Sequence, residues 1–115
     1  MRYAISVAMF LAFALSIGAS TSTLPTTNLA CGKDLTVYQN AMTVSAGVVA
    51  QVTGGCSGAT IWVYDGKNKT SQSNTYSVRS GETEAFSLSV EPGGHIEIKC
   101  AGSGSGGCSY TLSLP

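Results

Sequence analysis

Charged side chains are scarce in this sequence. Six Lys and Arg and six Asp and Glu are spread over 115 residues, 10% of the chain, and cancel to a formal net charge of zero. No basic patch exists to meet a phosphate backbone, so nucleic-acid binding is excluded. With 43% hydrophobic residues the chain is not disordered either, because it has apolar surface enough to offset chain entropy. Histidine is limited to His95, and no Cys-x-x-Cys pair occurs. A compact zinc site would need all four cysteines gathered from afar, so no metal and no other cofactor is expected. Helical periodicity is missing from the chain beyond its N-terminal apolar run.

That run reads as an export signal. Arg2 supplies a positive charge, and residues 4–17 are apolar except for Ser6 and Ser16. Gly18, Ala19 and Ser20 then provide the small residues that signal cleavage requires, with the cut placed after Ser20. The stretch is shorter than the roughly 20 residues needed to cross a bilayer, so no membrane span is expected after cleavage. Lipid attachment at Cys31 is rejected, because Asn28 stands where an aliphatic residue is needed. The domain reading is a signal peptide at 1–20, a Ser/Thr-rich flexible leader at 21–30 around Pro25, and one secreted β-domain at 31–115.

Loss of residues 1–20 removes Arg2 and leaves one net negative charge. A mature chain of about 95 residues lies in the size range where exported domains use disulfides as staples. Cys31, Cys56, Cys100 and Cys108 all survive cleavage. The expected pairing is Cys31–Cys56 with Cys100–Cys108. Cys100 shares parity with Ile96 and Ile98, and Cys108 with Tyr110 and Leu112, so both thiols face inward. A hairpin closed by the Gly/Ser loop 101–107 would bring them together.

Short apolar runs alternate with turn residues from Cys31 onward. Strands are predicted at 35–39, 42–53 (with a break at Ala46-Gly47), 60–64, 74–78, 85–90, 95–100 and 109–114. Turn signals at Gly54-Gly55, Asp65-Gly66, Ser80-Gly81 and Pro92-Gly93-Gly94 separate them. The fold class is all-β: a small antiparallel β-sandwich or barrel of about six to eight strands, stapled by disulfides. An immunoglobulin frame does not fit, since Trp62 follows Cys56 too closely and position 98 is Ile98 rather than tyrosine.

Candidate chemistry is thin. Gly54-Gly55-Cys56-Ser57-Gly58 mimics a nucleophile elbow but lacks the helix and the histidine partner that motif needs. The glycine loop before Cys108 leads into a strand, not a helix N-terminus, so it is no phosphate cradle. His95 follows a turn, where exposure is expected, and has no evident partner for acid–base work. Scattered acids such as Asp34, Asp65, Glu82, Glu84, Glu91 and Glu97 give no reason to expect a paired glycosidase site. Asn68-Lys69-Thr70 is an N-glycosylation sequon in a polar loop.

The segment from Thr60 to Tyr64 is ambiguous. Either Ile61 and Val63 face the core, or Trp62 and Tyr64 do, and burial of the single tryptophan is the favoured reading. The opposite arrangement would set an aromatic platform on the surface. The sequence reading is a secreted, effector-like, non-catalytic protein that binds an unknown protein partner through loops. Trp62, Tyr64, Asp65 and Lys67 are the candidate binding residues. The alternatives are a carbohydrate- or cell-wall-binding module that uses exposed aromatics, or a structural protein of a surface or matrix.

Overall fold

A computed structural model describes residues 22–65 and 72–114. Nine strands occur among them and no helix: β1 (Ser22–Thr23), β2 (Thr27–Ala30), β3 (Asp34–Gln39), β4 (Ala46–Thr53), β5 (Ala59–Tyr64), β6 (Gln72–Val78), β7 (Thr83–Val90), β8 (His95–Cys100) and β9 (Gly107–Leu114). They build two antiparallel sheets. One runs β1-β9-β4-β7, with β2 also paired to β9, and the other runs β3-β8-β5-β6.

Alternation of side chains puts the core between these sheets. From the first sheet, Val48, Ala50, Val52, Leu88, Val90 and Leu112 point inward. From the second, Ile61, Val63, Ile96 and Ile98 do so, each at most 1% exposed. Intervening residues such as Val49, Gln51, Ser87 and Ser89 face out, the period-two pattern of a half-buried strand. The sheet-on-sheet arrangement is a β-sandwich.

Three local expectations change. The run 42–53 becomes a strand only from Ala46, because residues 41–45 form a turn held by the Asn40 side chain. Residues 22–30 do not stay a flexible leader. Thr27–Ala30 pair with Tyr110–Gly107 and Ser22–Thr23 with Leu114–Ser113, while Leu29 enters the core at 7% exposure. Finally, Cys100 and Cys108 are bonded but do not sit across a hairpin. β8 belongs to the second sheet and β9 to the first, so the 101–107 loop crosses between layers and the disulfide ties the sheets together.

Candidate functional site

Two places gather chemistry-bearing side chains. The first is the outer face of the second sheet. β5 alternates Ala59, Ile61 and Val63 inward with Thr60, Trp62 and Tyr64 outward. The favoured burial of Trp62 in the core is therefore overturned: Ile61 and Val63 hold the inner positions, and Trp62 is half-buried on the outer face. Trp62 stands opposite Thr75 of β6 and Glu97 of β8, and Tyr64 stands opposite Gln72 and His95.

His95 also departs from expectation. It is 4% exposed rather than solvent-facing. Its ring stacks on Tyr64 with centroids 4.5 Å apart and planes at 9°. Its Nε2 is buried with no hydrogen-bond partner. A face-on stack keeps the imidazole nitrogens out of line with the phenol hydroxyl, so His95 is not placed to take that proton. The Tyr64 hydroxyl instead belongs with Glu97. Burial raises its pKa above the ordinary 10.0, and the charges of Glu97 and Asp34 and a side-chain hydrogen bond with Glu97 push the same way. The phenol thus stays neutral and acts as a donor to a carboxylate.

Asp65 follows β5 and is half-buried. Lys67 and the sequon asparagine Asn68 lie outside the described residues, as do the export signal and most of the polar loop 65–73. Trp62 and Tyr64 therefore share a face, as two of the four candidate binding residues.

The second place is a knot of sulfur at one end of the sandwich. Cys31 follows β2, Cys56 lies in the β4–β5 turn, Cys100 ends β8 and Cys108 opens β9. They form Cys31–Cys56 and Cys100–Cys108. The Sγ atoms of Cys31, Cys56 and Cys100 all lie within 4.8 Å of one another. The gathering of cysteines that sequence separation argued against is thus achieved, as two disulfides in contact. Close backbone approach makes it possible: a Cβ on Gly55 would overlap the Gly107 carbonyl. Cys56 itself adopts a left-handed φ of 54°, unusual for a residue with a side chain.

Sequence reasoning missed Asn40, the Tyr64–His95 stack and the contact between the two disulfides. Gly54-Gly55 beside Cys56 was the one available signal for the last of these.

The fold and the knot define the class: a small two-sheet β-sandwich held by two adjacent disulfides. No protein-family profile matches the chain, and no curated protein matches it. Among solved structures it is similar to a chain from Bacillus endospore appendages, described as a novel family of disulfide-linked pili. That likeness has a TM-score of 0.59 at 16% identity and covers 88% of this chain and 96% of the other. What it shows is a shared fold. Among the described residues no helix is long and apolar enough to cross a membrane.

Proposed function

We propose that the mature chain is an extracellular, non-catalytic protein that works through protein–protein contact, with further copies of itself as the first partner to test. The observation that carries this reading is the fold shared, over 88% of this chain, with a chain of disulfide-linked pili. The edges of the two sheets support it. β3 is a blunted edge, broken by a bulge between Thr36 and Tyr38 and starting with a charge at Asp34. β7 is a long edge instead: eight residues in unbroken register with β4, carrying one charge, Glu84. An edge of that kind presents unpaired backbone donors and acceptors that another strand can join. The glycine loop beside the sulfur knot, exposed at residues 102–106, is a further contact surface.

The test is assembly of the purified mature chain under oxidising conditions, followed by size-exclusion and negative-stain imaging. Ordered oligomers or fibres are expected, with pull-down from culture extracts as the arm for a different protein partner. A chain that stays monomeric and recovers only polysaccharide would sink the reading.

The outward position of Trp62 beside Tyr64 favours a second reading, polysaccharide binding on the outer face of the second sheet. The Trp62 ring, with Glu97 opposite it on β8, can stack on a sugar ring while the carboxylate accepts its hydroxyls. Acrylamide quenching of the single tryptophan, with and without polysaccharide, decides it. Protection that appears on adding polysaccharide supports the reading, and unchanged quenching removes it.

A further inference from the structure

All four cysteines are paired, so the chain carries no spare thiol with which to join another molecule. A covalent link through sulfur must then arise by exchange, in which a thiolate attacks an existing disulfide. Accessibility selects the bond that opens first. Cys31 and Cys56 are half-buried, whereas Cys100 is 0% and Cys108 2% exposed. Cys31 is covered on one side by the exposed loop, with the Ser105 carbonyl oxygen 3.7 Å from its Sγ. An outside thiolate meets this half-buried bond before the buried pair.

The second bond is placed to respond. Cys56 Sγ lies 3.9 Å from Cys100 Sγ, close to van der Waals contact. On the far side, the Gly55 N–H points at Cys108 Sγ at 3.3 Å. The Gly55 and Gly58 carbonyl oxygens also lie 3.7 and 3.6 Å from that sulfur, so it is the contact between Cys56 and Cys100, not charge stabilisation at Cys108, that sets the path of exchange.

We infer that the two disulfides form an exchange relay that makes Cys31 a modification site for thiol-bearing partners. The outside thiolate bonds to Cys31 Sγ and expels Cys56 as a thiolate. Cys56 then bonds to Cys100 Sγ, and the Cys100–Cys108 bond breaks with its electron pair leaving on Cys108. One thiolate enters and one leaves, and two disulfides exist before and after. No oxidant or reductant is consumed, and the Cys108 thiolate can take up the proton the incoming thiol gave away. The product is tied to its partner at Cys31 while Cys56–Cys100 still links the β4–β5 turn to the end of β8. The partner is a molecule that brings its own thiolate, which a second fully paired copy does not, so the relay stands apart from the assembly proposed above.

Glutathione is the probe. The oxidised mature chain is incubated with it, trapped with iodoacetamide and mapped without reduction. Glutathione on Cys31, an alkylated Cys108 and a Cys56–Cys100 peptide are expected to rise together. In Cys100→Ser/Cys108→Ser the released Cys56 can only return to Cys31, so the Cys31 adduct should fall roughly tenfold at equal glutathione. The map of the unaltered chain decides by itself if that variant fails to fold. Glutathione on Cys56, an alkylated Cys56 beside an intact Cys100–Cys108 bond, or no adduct on the folded chain would overturn the relay.

Discussion

Asn40 is 1% exposed and spends its whole amide on the backbone. Its Nδ2 donates to the Val44 and Val90 carbonyls, each at 2.9 Å, and its Oδ1 accepts from the Met42 amide at 2.9 Å. Asn40→Ala would strand the buried Val90 carbonyl and release the 41–45 turn, so a loss of about 1–3 kcal/mol in urea unfolding is expected. A loss below about 0.5 kcal/mol would show that water replaces the side chain there. Tyr64 makes a different prediction, in pH. Its pKa is raised in the folded state, chiefly by burial and then by Glu97 and Asp34. The unfolded chain therefore gives up this proton first as pH rises. The stabilisation is complete below the ordinary 10.0 and is lost progressively as pH climbs through the folded value. Tyr64→Phe should flatten alkaline unfolding above about pH 10, and an unchanged profile would count against the Glu97 contact. Little of this was legible in the sequence. The Thr60–Tyr64 run is apolar on both sides, so its alternation was readable but not which side meets the core. Asn40 carries no signal of its own in the sequence, because its partner at 90 comes to it only once the strands are assembled.

Strands with clean alternation were read closely, as with β8 and β9, where parity alone placed Ile96, Ile98, Tyr110 and Leu112 inside. Elements whose existence depends on a neighbour were not. β1 and β2 have no amphipathic pattern and are interrupted by Pro25. They form because β9 offers one free edge, and they sit on it in two short pieces. The same blindness to partnership made β8 and β9 look like a hairpin, since a Gly/Ser loop of that length suits either a turn or a crossing. If β2 is part of the core rather than a tail, Leu29→Ala should cost about 2–3 kcal/mol, the lower part of the range for a buried leucine. Leu24, 40% exposed between the two pieces, should tolerate alanine within about 0.5 kcal/mol. Equal thermal shifts for the two variants would contradict the pairing with β9. β7 belongs at this scale as well. Ser87 is exposed on that edge strand, so Ser87→Lys should leave the melting temperature almost unchanged while suppressing assembly. Assembly at the wild-type rate would move the proposed contact away from β7.

For the molecule as a whole, two effects compete over which disulfide matters more. Loop closure favours Cys31–Cys56, which spans 25 residues against 8 for Cys100–Cys108. In the chain-entropy account these are worth about 3.5 and 2.6 kcal/mol. Burial favours the other bond. Cys100 and Cys108 are core residues at 0% and 2% exposure and join the two sheets, whereas Cys31 and Cys56 sit half-buried at the rim. Serine at the buried pair would place two hydroxyls in the core, at about 1–3 kcal/mol for each left without a partner. That addition exceeds the difference of about 1 kcal/mol in loop entropy, so the order should reverse. Cys100→Ser/Cys108→Ser is expected to melt well below Cys31→Ser/Cys56→Ser. Alanine at both buried positions removes the hydroxyls and should recover part of the gap. If the Cys31–Cys56 variant proves the weaker of the two serine pairs, loop entropy governs and the buried bond is not the main tie between the sheets.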